Sequence, residues 1–179
     1  MKKIGIVTDS HSSISQEEAE KLGIFVLPMP FYIDGECFYE SVTLSRELFF
    51  EKLAAGADIT TSQPSPTAVM EIWDKALEQF EKILYLPISS GLSGSYETAM
   101  MLAKDEAYEG RVLVVDDGQV AAPLHQMILD TLDMIEKGYE AEHIRELLEK
   151  AGDRMMIYIA LQTLECLKKG GRVTPAAAA

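Results

Sequence analysis

The stretch Lys3-Ile4-Gly5-Ile6-Val7-Thr8-Asp9-Ser10, near the start of the chain, decides the fold class. Its short apolar run, rich in β-branched residues, predicts a strand buried on both faces. Polar residues follow at the carboxyl end of that strand, at Thr8, Asp9 and Ser10. Open parallel sheets bind ligands beyond the carboxyl ends of their strands. We therefore expect this end of the strand to lie at the edge of the sheet that binds a ligand.

Three further apolar runs have the same continuous character, near residues 24–28, 83–87 and 112–116. Helical patterns separate the runs, and they carry start signals such as the Ser15 and Glu18 pair and the Ser65-Pro66 step. Strands that alternate with helices predict an α/β fold. We expect a mostly parallel, doubly wound sheet with helices on both of its faces.

The remaining elements define the domain organisation. Residues 31–39 predict a hairpin that turns at Asp34-Gly35, and residues 60–66 predict a polar loop. Residues 155–160 predict a strand after two consecutive helices. We therefore expect an N-terminal parallel α/β domain over residues 1–152 and the beginning of an incomplete second α/β domain over residues 153–179. The four alanines at 176–179 suggest the first turn of a helix, and we interpret the chain end as a truncation.

Charge and composition exclude several classes of function. The chain has 179 residues, and 16 Lys and Arg stand against 29 Asp and Glu, a formal net charge of −13. A nucleic-acid-binding surface needs a basic field, so we expect no nucleic-acid partner. No stretch approaches the ~20 apolar residues that a membrane span needs, so we expect no integral membrane segment. The two cysteines, Cys37 and Cys166, lie far apart and fit a reducing cytoplasm.

Two polar loops precede helices and are candidate binding sites. The first is Ser89-Ser90-Gly91-Leu92-Ser93-Gly94-Ser95, in which glycines let the backbone approach a ligand and the helix that follows offers free N–H groups. An anion site and a plain capped turn are equally good interpretations of it. The second is Thr61-Ser62-Gln63-Pro64-Ser65-Pro66, whose simpler interpretation is an N-cap with two rigidifying prolines. Together the two loops are able to surround one carboxylate or phosphate.

The sequence offers little support for catalysis. Asp9, Asp116 and Asp117 are carboxylates at strand ends that are able to hold a divalent cation, but we favour a role in capping helices and turns. The three histidines share no metal-ligand spacing, and no Gly-x-Ser-x-Gly nucleophile elbow is present. We predict no catalytic residue, no metal site and no cofactor.

Four motifs together resemble the DegV family, the bacterial fatty-acid-binding proteins that include the binding subunit of fatty acid kinase. They are Ile6-Val7-Thr8-Asp9-Ser10, Thr61-Ser62-Gln63-Pro64-Ser65-Pro66, Ile88-Ser89-Ser90-Gly91-Leu92-Ser93-Gly94-Ser95-Tyr96 and Leu164-Glu165-Cys166-Leu167-Lys168-Lys169-Gly170-Gly171-Arg172-Val173. The motifs span nearly the whole chain and follow the order of the family. The second and third are the most specific.

The resemblance implies that the protein binds a long-chain fatty acid in an apolar tunnel and is not itself an enzyme. Thr61 and Ser93 are the implied hydroxyl donors to the carboxylate, and Ser62, Gly94 and Ser95 are the implied neighbours in the same pocket. A partner, the catalytic subunit of fatty acid kinase, would phosphorylate the bound fatty acid. Arg172 has two open interpretations, a contact to an anion or partner, and a solvated residue beside a helix C-cap.

Two departures from the family pattern bear on this expectation. Family members are longer and continue beyond the Gly-Gly-Arg motif. In the segment Asp116 to His125, this sequence lacks the serine and the Gly-x-Gly that usually open the next helix. Two alternatives to fatty-acid binding remain: an α/β enzyme that binds a small phosphorylated substrate at the Ser93 loop, with Asp9 or Asp116 on a metal, and a regulatory domain with an empty pocket.

Overall fold

A computed structural model describes residues 2–40, 42–161 and 163–174 of the chain. The expected helical turn at 176–179 lies outside the described residues. The elements are β1 (Lys2–Asp9), a 3-10 helix (Ser10–Ser12), α1 (Gln16–Leu22), β2 (Phe25–Leu27), β3 (Pro30–Ile33), β4 (Glu36–Tyr39), α2 (Arg46–Ala54), β5 (Ile59–Thr61), α3 (Pro66–Leu77), β6 (Phe80–Leu86), α4 (Ser95–Leu102), β7 (Val112–Val114), α5 (Ala121–Glu136), α6 (Ala141–Gly152) and α7 (Glu165–Lys169).

The central sheet is parallel and has the strand order β2-β1-β6-β7. Ile6 of β1 lies opposite Leu84 of β6, and Ile83 of β6 lies opposite Val112 of β7. The chain builds β2 on one side of β1 and then crosses to place β6 on the other side. The strand order therefore reverses between β1 and β6, and in such sheets the ligand crevice lies at this point.

Both faces of the parallel sheet are covered by helices. Side chains alternate along a strand, so Ile6 packs on one face with α1, α5 and α6, and Val7 packs on the other face with α3 and α4. Trp73 of α3 is fully buried and packs edge-on against Tyr85 of β6, with ring centroids 5.5 Å apart. The predicted doubly wound α/β fold is confirmed.

A second, smaller sheet is inserted between β2 and α3. It is antiparallel with the order β4-β3-β5, and the predicted hairpin turns at Asp34-Gly35, where both residues have positive φ. β5 falls in the stretch that was predicted to be a polar loop, so that prediction was wrong at Thr60 and Thr61. Three residues carry too little hydrophobic alternation to reveal a strand. The strand forms because β5 pairs with β3, with Ile59 opposite Ile33.

The structure contradicts the predicted strand at residues 155–160. This segment pairs with no strand in the described part of the chain, and most of its apolar side chains are exposed, with Met156 at 74% and Tyr158 at 88%. The apolar pattern alone was insufficient because a strand also requires a neighbour that exchanges backbone hydrogen bonds with it. The division into domains at residue 152 stays a prediction.

Candidate functional site

The point where the strand order reverses is organised by Asp9, the last residue of β1. Its carboxylate is buried and accepts hydrogen bonds from two backbone N–H groups, that of His11 at 3.0 Å and that of Ile88 at 2.8 Å. The neighbouring Thr8 hydroxyl donates to the carbonyl of Leu86 at 2.7 Å. These bonds fix the carboxyl ends of β1 and β6 against each other. Asp9 therefore holds the loop that follows β6 in place.

That loop carries Ser93 to the start of α4. The Ser93 hydroxyl oxygen accepts the backbone N–H of Ser95 at 3.2 Å and lies 2.8 Å from the Ser95 hydroxyl oxygen. Ser95 is buried and Ser93 is partly exposed. A serine oxygen has two acceptor positions and one donor. When the Ser95 hydroxyl donates to Ser93, both acceptor positions of Ser93 are filled and its O–H is free to donate to an anion.

The two polar loops predicted from the sequence lie in direct contact. Gln63 spans them, because its side-chain amide donates to the Thr98 hydroxyl in α4 at 3.1 Å. Its Oε1 atom packs against Gly94, where a Cβ would lie only 2.9 Å away. The loop at 61–66 and the loop at 89–95 therefore form one surface, with Gln63 as the link.

A cavity of about 570 Å³ lies between the carboxyl end of β1, the antiparallel sheet and α2. Its apolar wall is formed by Ile14, Val26, Met29, Pro30, Phe31, Leu44, Phe49, Phe50 and Ile59. Its polar wall is formed by Ser10, His11, Ser13, Ser15, Gln16, Glu40, Ser45, Arg46 and Thr61. Polar residues thus make up half of the lining, so this cavity differs from the apolar tunnel that the family resemblance implies.

Strand alternation separates Thr61 from Ser62. Thr61 lies directly opposite Phe31 in the β3–β5 ladder, and both line the large cavity. Ser62 lines a second groove of about 330 Å³ beside Tyr32, and its hydroxyl donates to the carbonyl of Gln63. This differs from the expectation that Thr61 and Ser62 share one pocket. Neighbouring residues in an extended chain point to opposite faces, which the sequence motif does not express.

Arg172 contacts the loop that carries Ser93. Its Nε donates to the carbonyl of Leu92 at 3.2 Å, and its Nη1 donates to the carbonyl of Gly170 at 2.5 Å. The side chain is exposed. These bonds place the Arg172 guanidinium beside both the Ser93 loop and the C-cap of α7, and its contact to an anion or partner stays a prediction. The described residues that line the large cavity do not include Ser93, Gly94, Ser95 or Arg172.

Asp116 and Asp117 serve backbone hydrogen bonding. Asp116 Oδ1 accepts the N–H groups of Ser90 at 3.4 Å and of Gly118 at 3.2 Å, and Asp117 Oδ1 accepts the N–H of Gln119 at 2.9 Å. Among the described residues, no group of three His, Cys, Asp or Glu side chains is placed to hold a metal ion. Burial raises the pKa of Asp117 to about 6, although the hydrogen bond from Gln119 opposes the effect.

His11 was not predicted from the sequence to be a binding residue. The ring lines the large cavity, and Nδ1 lies 3.4 Å from Asp9 Oδ1. The available signal in the sequence was that His11 lies two residues after Asp9, which ends β1. A histidine without a spaced partner gives no pattern that identifies a site from sequence.

Comparison with known proteins identifies the family. The sequence model described as "Uncharacterised protein, DegV family" matches residues 3–179. The chain belongs to the DegV family.

Relatives and solved structures agree with this assignment. A DegV domain-containing protein of Streptococcus pneumoniae is 34% identical over 98% of this chain and 63% of its own length. One from Caldanaerobacter subterraneus is 30% identical over 97% of this chain and 62% of its own length. The chain thus spans somewhat less than two thirds of the length of the DegV relatives it matches.

Two similar solved structures come from proteins whose names refer to fatty-acid binding. A fatty-acid-binding DegV family protein from Thermus thermophilus has a TM-score of 0.87 and 33% identity, covering 98% of this chain and 62% of that one. A stearic acid-binding protein from Eubacterium ventriosum has a TM-score of 0.81 and 26% identity, covering 100% of this chain and 62% of that one. In the DegV protein described here, no helix within the described residues is both long and apolar enough to cross a membrane.

Proposed function

We propose that this DegV family protein binds a long-chain fatty acid, with the acyl tail in the large cavity and the carboxylate near Thr61 and Ser93. One observation carries the proposal: Thr61 forms part of the cavity wall opposite Phe31, and its loop contacts the Ser93 loop through Gln63. The two hydroxyl-rich loops therefore touch each other, and one of them reaches the wall of the cavity. The solved relatives that bind fatty acids support this assignment.

The acyl tail supplies most of the affinity. Each methylene that leaves water contributes ~0.8 kcal/mol, so ten of them contribute on the order of 8 kcal/mol. A hydrogen bond to the carboxylate contributes roughly 1.5–3 kcal/mol. The protein has a net charge of −13, which disfavours an anionic ligand at long range. Local donors must therefore hold the carboxylate and orient it.

The protein in this proposal presents the fatty acid and does not transfer phosphate. Its sequence lacks the Gly-Lys-Ser/Thr ending of a P-loop. The catalytic subunit of a fatty acid kinase is the proposed partner, which phosphorylates the carboxylate held at Ser93. We place this reaction in the cytoplasm, where the two exposed free cysteines, Cys37 and Cys166, remain reduced.

The geometry does not favour an enzyme acting on a small phosphorylated substrate. That alternative needs carboxylates that converge on a metal ion. Asp9 and Asp116 instead accept backbone N–H groups.

Organic extraction of the purified protein followed by mass spectrometry tests the proposal. We expect a long-chain fatty acid in the extract, and less of it from Thr61→Val. Thr60→Val is the matched control, because Thr60 is the adjacent residue of β5 and lies opposite Tyr32 in the ladder. Failure of the wild-type protein to retain or to bind added stearate, with binding of inorganic phosphate instead, would overturn the proposal in favour of the alternative.

A further inference from the structure

We propose that His11 is the pH-dependent cation of the fatty-acid site: in its protonated form it strengthens the binding of the anionic head group in the large cavity. The inference rests on the proposed fatty-acid binding and adds a specificity-determining residue to it. It starts from the position of the ring, which lines the same cavity as Thr61.

The two ring nitrogens of His11 have different surroundings. Nδ1 is buried, makes no hydrogen bond of good geometry within the described residues, and lies 3.4 Å from Asp9 Oδ1. The side chain as a whole remains 34% exposed. Nε2 is not among the buried nitrogens without a partner, and the ring lines the cavity. A proton on both nitrogens places one N–H toward Asp9 and one N–H toward a ligand.

The charges around His11 explain why protonation matters. Asp9 at the end of β1 and Glu40 after β4 are the negative groups that face it, and Arg172 after α7 is the positive one. Arg46 of α2 is a further cation in the cavity wall. With His11 neutral, the two carboxylates oppose an incoming anion. With His11 charged, the ring offsets them at the head-group end of the cavity.

The direction of the pKa shift of His11 supports the same inference. Burial by itself would lower the pKa of His11, but Asp9 and Glu40 outweigh burial and Arg172, and the pKa lies above its ordinary value. The cationic form is therefore populated below that raised value and is lost as the pH rises through it. Affinity for an anionic ligand should consequently fall with rising pH.

Binding of two matched amphiphiles between pH 5.5 and 8.5 tests the inference. Hexadecanesulfonate, used below its micellar concentration, stays anionic over this range, and 1-hexadecanol stays neutral. We expect the sulfonate to bind the wild-type protein about three- to tenfold more tightly at the low end than at the high end, because of one additional nearby charge. Affinity for hexadecanol should not change. His11→Gln should abolish the pH dependence and keep the hexadecanol affinity.

His125→Gln is the matched control. His125 is likewise half-buried and faces a carboxylate, with Nε2 3.1 Å from Glu18 Oε1, but it lies outside the cavity wall. This variant should keep the wild-type pH dependence. A His11→Gln protein that retains the pH dependence, or a hexadecanol affinity that rises equally at low pH, would overturn the role of His11 and leave fatty-acid binding intact. Failure of stearate and both amphiphiles to bind wild-type protein would overturn the proposed function as well.

Titration of the histidine rings by NMR covers the case in which His11→Gln does not fold. Binding is reciprocal, so a ligand that prefers protonated His11 must raise the titration midpoint of that ring. With saturating hexadecanesulfonate, the His11 midpoint should rise by about half to one pH unit, the equivalent of three- to tenfold in affinity. The His125 midpoint should stay unchanged. An unchanged His11 midpoint in the wild-type protein would overturn the inference.

Discussion

The side-chain oxygen of Gln63 occupies the space beside Gly94 that a larger residue would need. A Cβ at position 94 would lie 2.9 Å from Gln63 Oε1. Because Gln63 also donates to Thr98, this close approach fixes the spacing between the loop after β5 and the loop after β6. The absence of a side chain at Gly94 therefore allows Gln63 to approach this closely. The φ of Gly94, −71°, is open to any residue, so backbone conformation does not explain the glycine.

Gly94→Ala should disturb the head-group site with little loss of stability. The added methyl displaces the flexible end of Gln63 and breaks its bond to Thr98, a cost of about 1 kcal/mol. We expect about three- to tenfold weaker stearate binding by calorimetry. Gly91→Ala is the control, because a Cβ there would lie 3.6 Å from the Ser89 hydroxyl, an ordinary contact. Equal effects of the two variants would contradict the role given to Gln63.

Ser93→Ala should impair presentation of the fatty acid more than binding of its tail. The variant loses one hydrogen bond to the carboxylate, roughly 1.5–3 kcal/mol, whereas the tail contacts remain. We expect retained fatty acid in native mass spectrometry and a larger loss of acyl-phosphate formation with a partner kinase. An equal loss in both measurements would contradict the view that Ser93 mainly orients the carboxylate and contributes little to the affinity for the tail.

Ser95→Ala should reproduce part of the Ser93→Ala defect, although Ser95 is buried. The Ser95 hydroxyl lies 2.8 Å from that of Ser93 and holds it in place. We expect the effects of the two substitutions on acyl-phosphate formation to be strongly non-additive, since the residues act as a unit. Ser90→Ala is the control, because no hydrogen bond of its hydroxyl is described. Simple additivity of Ser93→Ala and Ser95→Ala would argue against the coupling.

Asp117→Asn should stabilise the protein at neutral pH. Burial raises the pKa of Asp117 from its ordinary value near 3.8 to about 6, so the folded state favours the protonated form. Stability from this group is therefore present below the ordinary pKa and is lost as the pH rises through about 6. We expect a gain of up to ~3 kcal/mol in unfolding free energy at pH 7.5 and little change at pH 4.

Urea denaturation at both pH values measures this difference. Asp153→Asn, at the exposed end of α6, is the control and should change stability little at either pH. If Asp117→Asn gave the same change at pH 4 as at pH 7.5, the charge of Asp117 would not be the cause.

Much of the fold followed from local sequence signals. The continuous apolar runs identified the four strands of the parallel sheet, and Ser15, Ser45 and Ser65 each cap a helix by accepting a backbone N–H group. The Asp34-Gly35 turn required positive φ, which these residues supply. Such signals are readable because they depend on residues a few positions apart. For the same reason, both hydroxyl-rich loops were recognised as candidate sites.

Other features depended on contacts between distant parts of the chain. β5 exists because it pairs with β3, and the segment 155–160 forms no strand because it pairs with none within the described residues. The opposite directions of Thr61 and Ser62 follow from that same pairing. Local pattern cannot reveal a neighbour that the chain reaches only after folding.

The sequence by itself thus determined a parallel α/β chain with two polar loops, whereas the tertiary structure decided how they form a site. It placed β6 beside β1, so Asp9 holds Ile88 across 79 positions of sequence. It brought Gln63 against Gly94, and it turned His11 into the cavity that Thr61 lines. The physical reason is that helix and turn signals act over a few residues. The site instead depends on the order of the strands, which brings together residues that are separated by long stretches of chain.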